Sequence, residues 1–310
     1  MLTVDLLQHC GLHHGNTKFH RNTKNENLRV FVAFRGFVVI CFLLVPIVLG
    51  QDWQELKSEH FIIYYPQDGK FAKEVLDKAE EYYQKIADDL GYPRHSEFWT
   101  WDKRVKIYLY PDHSSFLKAT AQPTWSQGMA DYTNKKIVSY IWSHGFLESL
   151  LPHEMAHLIF RDFVGFKGEV PLWLDEGIAQ WEEETKRIES KRMAKQLLNQ
   201  NELIPLEEMM KLDVRKIKEE DNVSIHSIPI TFSGKNLVTV YYIQAVSLVD
   251  FLVERYGTSD FVHFCRQLRD GKTLEEGLRF AYPTSIQNIE ELEEKWKEYL
   301  RGPTANKEVE

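Results

Sequence analysis

His153-Glu154-Met155-Ala156-His157 places two imidazoles and a carboxylate within one short segment, and Glu176 follows after 18 intervening residues. On a helix, positions i and i+4 share one face, so both imidazoles can reach a single ion while Glu154 projects beside them. This is the pattern of a zinc site carrying its own base. Two His and one Glu as ligands leave the fourth tetrahedral position to water, which separates a catalytic zinc from a structural one. One Zn2+ per chain is therefore expected on His153, His157 and Glu176, with Glu154 as general base.

These side chains need two helices. Ser149 is the expected N-cap of the first, which sets Pro152 in the opening turn, where its missing N–H costs no internal hydrogen bond. Leu151, Met155, Leu158 and Ile159 fall on the side away from His153 and Glu154, as an amphipathic helix packed on a core requires. Pro171 suits the start of the second helix, on which Glu176 and Gln180 share a face. A turn around Gly165 to Gly168 would fold the two helices together and bring Glu176 to the histidines.

The segment Pro171-Leu172-Trp173-Leu174-Asp175-Glu176-Gly177-Ile178-Ala179, at this spacing from H-E-x-x-H, resembles the W-L-x-E-G-x-A segment of the gluzincin metallopeptidases and is similar to their peptidase MA-like branch. Ile204 to Met209 and Tyr242 to Val249 resemble the same pattern, so the likeness spans roughly residues 56 to 300. It implies an α+β, thermolysin/gluzincin-like fold: a mixed β-sheet lobe with the active-site helices (51–183), then a helical lobe (184–301), with the substrate cleft between them. It also implies a peptide or protein substrate, captured on the sheet's edge strand by β-augmentation. The hairpin at 129–141 would occupy that place, with strand 136–141 as the pairing edge and Ser139 and Tyr140 as substrate-binding residues. In related gluzincins a tyrosine stabilises the oxyanion. Tyr242 matches by position, with Tyr241 the alternative.

Two departures bear on the substrate. Aminopeptidases of this clan hold the substrate amine through G-x-M-E-N, whereas the comparable place here reads Gly128-Met129-Ala130-Asp131-Tyr132, which favours an endopeptidase. Where thermolysin-like enzymes place an Asp that orients a ligating His, this chain has Gln180, which can hydrogen-bond but adds no charge.

The chain has 310 residues, 43% of them hydrophobic and 13% aromatic, enough for a substantial core. A net charge of −8 argues against a nucleic-acid groove, and the charge run Glu182 to Arg192 reads as a solvated helix face. Residues 37–49 form an apolar run behind Arg29 and Arg35, ending at Gly50. A run this short suits a signal peptide cut before Gln51, and a signal anchor is the rival reading. Either way the protein is expected to be exported, secreted or held in the cell envelope, touching a membrane only through residues 1–50. Cys10 and Cys41 lie in that leader, leaving Cys265 as a buried thiol.

Downstream, strands are expected at 60–65, 104–110, 129–132 and 136–141, and a helix at 71–90. After Gly177 nearly everything reads as helical, including 235–256, 259–270, 274–281 and 285–300, before a frayed tail at 302–310. Oligomeric state is not encoded in these patterns. The alternative from another class is a zinc-retaining binding or scaffolding module without turnover.

Overall fold

The computed structural model describes residues 52–302, apart from 92–98, 123, 125, 142–144, 167–169, 226 and 229. The leader, Gly168 and the tail beyond Gly302 lie outside the described residues.

Alternating side chains build the sheet. β1 (Gln54–Lys57), β2 (Phe61–Tyr65), α1 (Gly69–Asp89), β3 (Val105–Tyr110), α2 (His113–Thr120), β4 (Met129–Asp131) and β5 (Lys136–Tyr140) follow in chain order. The strands pair in the order β1-β2-β3-β5-β4. β2, β3 and β5 run parallel, and β1 and β4 close the two edges antiparallel. Phe61, Ile63, Val105, Ile107, Leu109 and Ile137 all project to one face and are fully buried, as period-2 patterning over a half-buried sheet requires. α1 covers this face. Its N-cap Asp68 accepts a hydrogen bond from the Phe71 amide at 3.1 Å, and its buried stripe of Val75, Leu76, Ala79, Tyr83 and Ile86 packs inward.

The strand order corrects one expectation. β5 lies between β3 and β4, so the main chain of 136–138 is already paired on both sides. The edge is β4, because the hairpin folds its first strand to the outside.

Helix α3 (Leu151–Val164), which carries the H-E-x-x-H segment, emerges from a π-helical turn over Phe146–Leu150. Ser149 lies inside that turn and is not the N-cap; its hydroxyl donates instead to the Glu183 carboxylate. Pro152 does sit in the first turn. α3 stops at Gly165, whose φ of 83° is the left-handed conformation glycine adopts most readily. α4 (Leu172–Trp181) starts after Pro171 and is followed by α5 (Glu184–Gln200), α6 (Leu206–Met209), β6 (Asn222–Ser224), β7 (Thr231–Ser233), α7 (Gly234–Tyr256), α8 (Thr258–Arg269), α9 (Leu274–Ala281) and α10 (Ile289–Arg301). The β6–β7 hairpin was not expected among these helices. Each strand has only three residues, too short for a periodic signal.

α7 is long and apolar enough to cross a membrane, yet it is buried as the central helix of the fold. α4 lies against it at Gly177, where an added Cβ would come within 2.8 Å of the Ala245 carbonyl oxygen and 2.9 Å of Val249 Cγ2. The glycine of the W-L-D-E-G segment thus permits a close helix crossing. One hydrophobic core runs unbroken from the sheet through α3, α4 and α7 to α10.

Candidate metal centre

α3 projects His153, Glu154 and His157, and α4 brings Glu176 to them. All four are 3% exposed or less. One ligand atom from each of His153, His157 and Glu176 can be chosen so that all lie within 4.8 Å of one another. The two Nε2 atoms stand 3.2 Å apart, and His153 Nε2 is 3.9 Å from Glu176 Oε2. A separation near 3.2 Å suits two nitrogens each about 2.0–2.1 Å from one tetrahedral ion.

The opposite ring nitrogens fix which atoms face inward. His153 Nδ1–H donates to Glu183 Oε1 at 2.8 Å, and His157 Nδ1–H donates to Asp175 Oδ1 at 2.9 Å. An ionised carboxylate only accepts, so both rings are protonated at Nδ1 and turn Nε2 toward the site. Each carboxylate is itself held. Arg161 Nη2 donates to Asp175 Oδ2 at 3.3 Å, and Lys186 Nζ to Glu183 Oε1 at 2.8 Å. Burial works against charge on Glu183, yet Lys186 and His153 hold its pKa below the usual carboxylate range.

Electrostatics favour a cation here. Glu154 Oε1 and Oε2 and Glu176 Oε2 are buried without a hydrogen-bond partner among the described residues. Burial, reinforced by the neighbouring acids, lifts both carboxyls to about 7. Burial pushes His153 down to about 4, whereas for His157 the charge and hydrogen bond of Asp175 outweigh burial and raise it to about 9. The proton this leaves on His157 Nε2 points at His153 Nε2, the region a metal ion would take. Orphaned carboxylate oxygens facing two preset imidazole nitrogens fit a divalent cation such as zinc.

A family model described as the Peptidase MA superfamily matches residues 99–302. The chain belongs to the Peptidase MA superfamily. A metallopeptidase-type function goes with that membership. A search of curated proteins gave no match.

In this peptidase MA chain the orienting carboxylates are ones the sequence reading passed over. Gln180 is buried, but its side-chain nitrogen has no hydrogen-bond partner among the described residues. Asp175, beside Glu176, and Glu183, on the short connection to α5, take that role. The run beginning at Glu182 is accordingly not a solvated face: Glu182, Glu183 and Lys186 are buried. The acidic run Glu182-Glu183-Glu184 just beyond α4 was the available signal for Glu183.

Ser139 is fully buried and donates to the Gln127 carbonyl at 2.7 Å, and Tyr140 donates to the Gln127 side chain. The sheet pairs both residues with β3. On its other side β5 pairs with β4 only through 136–138, and Ser139 and Tyr140 are engaged there by their side-chain bonds to Gln127. β4 is the edge beside Glu154: the Ala130 amide favours the charged form of Glu154, although it closes no hydrogen bond. Just past β4, the Tyr132 ring stands edge-on to His157 with centroids 6.2 Å apart, and Arg161 lies over its face at 4.1 Å. Asp131 is committed to the hairpin, accepting from the Asn134 amide at 3.0 Å and pairing with Lys136 at 3.4 Å.

For Tyr241, one of the two candidate tyrosines, burial and then the Glu176 charge raise the pKa well above the usual range. Helical periodicity sets Tyr241 four residues before Ala245 and Tyr242 seven before Val249, and both Ala245 and Val249 meet Gly177 of α4. Tyr242 lies about 100° around the helix, its ring edge-on to Tyr241 with centroids 5.8 Å apart.

Proposed function

We infer that this chain is an exported, zinc-dependent metallopeptidase of thermolysin/gluzincin type that hydrolyses peptide bonds within peptide or protein substrates. The observation that carries the reading is the convergence of His153, His157 and Glu176 with Glu154 unpaired beside them. Zn2+ bound there would lower the pKa of a water and polarise the scissile carbonyl. Glu154 takes the proton of the attacking water and returns it to the leaving amine. Asp175 and Glu183 keep both imidazoles turned inward throughout. Tyr241, whose pKa the Glu176 charge raises, supplies the donor to the developing oxyanion, with Tyr242 the alternative.

Substrate pairs as an added strand on β4, not on β5, because β4 is the sheet edge beside Glu154. With Asp131 held by Asn134 and Lys136, the edge offers no spare carboxylate to a substrate amino terminus, which supports internal cleavage. The test is Glu154→Gln, which keeps size and removes the base. Hydrolysis of an acetylated peptide should fall by about 10²–10⁴-fold with zinc content unchanged. Equal turnover by both proteins rejects the mechanism, and cleavage confined to free-amine peptides rejects the endopeptidase assignment.

A further inference from the structure

The sheet face turned away from α1 carries a cluster the peptidase chemistry does not use. Trp53 stands edge-on to Tyr108 and Tyr110, with centroids 5.7 and 5.2 Å apart, and Tyr64 stacks on Tyr108 at 4.7 Å. All four rings are half-buried. Strand alternation sets Lys57, Lys106 and Lys136 on the same face, with Glu55 and Asp131 as its carboxylates. Lys57 pairs with Glu55 at 2.6 Å and Lys136 with Asp131 at 3.4 Å, so the excess charge on this face is positive.

The chain leads from this face to an apolar segment. The run 37–49 ends four residues before Trp53, and four residues span at most about 14 Å. Whatever surface the run enters must therefore lie close to Trp53. Aromatic rings with polar tips, flanked by lysines whose stems bury while their heads stay wet, are the side chains that settle at a lipid–water interface. A sugar ligand fits less well. Tyr64 and Tyr108 cover each other's faces, and Trp53 stands on edge to its neighbours, so the rings are turned mainly to one another.

We propose that the sheet face of Trp53, Tyr64, Tyr108, Tyr110 and Lys106 rests on the headgroup region of a membrane entered by residues 37–49, which then remain as an anchor. This surface is independent of the zinc chemistry, and its failure leaves the peptidase reading intact.

The test uses the full chain with vesicles of phosphatidylcholine and phosphatidylglycerol, part of the phosphatidylcholine carrying brominated acyl chains. Bromine quenches nearby tryptophan. Quenching should be weaker in Trp53→Phe by up to one tryptophan's share of the eight present. In parallel, a water-soluble amine reagent should label Lys106 several-fold more slowly when vesicles are present, while Lys211, 69% exposed on the helical side, is unaffected. Tyr108→Ser, with the leader intact, should restore Lys106 labelling. Equal quenching in wild type and Trp53→Phe overturns the proposal. So does Lys106 labelling that ignores vesicles, since lipid would then touch only the leader. Protection of Lys106 by soluble polysaccharide but not by vesicles overturns it in favour of a sugar surface.

Discussion

His157 donates from Nδ1 to Asp175 at 2.9 Å, and Asp175 is the residue immediately before Glu176. One turn of α4 therefore supplies both the group that orients the His157 ring and a carboxylate that faces the same site. Adjacent helical positions point about 100° apart, so Asp175 reaches behind the His157 ring while Glu176 meets its front. Asp175→Asn should lower zinc affinity by about 10–100-fold, measured by competition with a chelating indicator. Gln180→Ala should leave affinity within about twofold, since Gln180 holds neither ring. Equal losses in the two variants would place the orienting role elsewhere.

Tyr241 and Tyr242 separate by kinetics. If Tyr241 supplies the oxyanion donor, Tyr241→Phe should lower kcat by about 10²–10³-fold with little change in KM. Tyr242→Phe should retain most activity. The reverse pattern would return the role to Tyr242 and show that Glu176 coupling misidentifies the donor.

Gly177→Ala tests the α4–α7 crossing. Alanine favours helix by about 1 kcal/mol over glycine, but its Cβ would sit 2.8 Å from a main-chain oxygen that cannot move alone. Overpacking of this kind costs about 1–3 kcal/mol, so thermal unfolding should occur at a lower temperature. An unchanged or raised midpoint would mean that the helices separate easily.

Glu80 gives a pH signature away from the metal. Its carboxylate accepts from the His60 amide at 2.9 Å and from His60 Nδ1 at 2.6 Å. Burial raises its pKa, but these bonds outweigh burial and hold it below the reference 4.5. A depressed native pKa means that the unfolded chain binds more protons at mildly acid pH. The stabilisation is thus complete above about 4.5 and is lost as pH falls through the lower native value. Glu80→Gln should cost about 1–2 kcal/mol at neutral pH, by urea unfolding, and the gap to wild type should close in acid. A gap that persists unchanged there would show that the interaction does not depend on ionisation.

Much of this protein was legible locally. The four residues His153, Glu154, His157 and Glu176 were readable because i, i+4 geometry and a Pro-started helix are set within a few residues. The boundaries of β2, β3, α1 and α7 followed from period-2 and period-3.6 patterns, each a property of one segment. What tertiary structure alone decided was every relation between segments. The β5 sequence reads the same whether it pairs on one side or two, so only the folded sheet shows β4 as the edge. Ser149 looks like an N-cap until the π-helical turn carries it toward Glu183. The acidic run at 182–184 looks solvated until α5 turns back and buries two of its members beside Lys85 and His153. Neighbouring Tyr241 and Tyr242 are chemically equal in sequence, and only folding brings the Glu176 charge to bear on Tyr241. Local periodicity specifies which side of an element is buried; the partner it is buried against depends on long-range packing, which no single segment encodes.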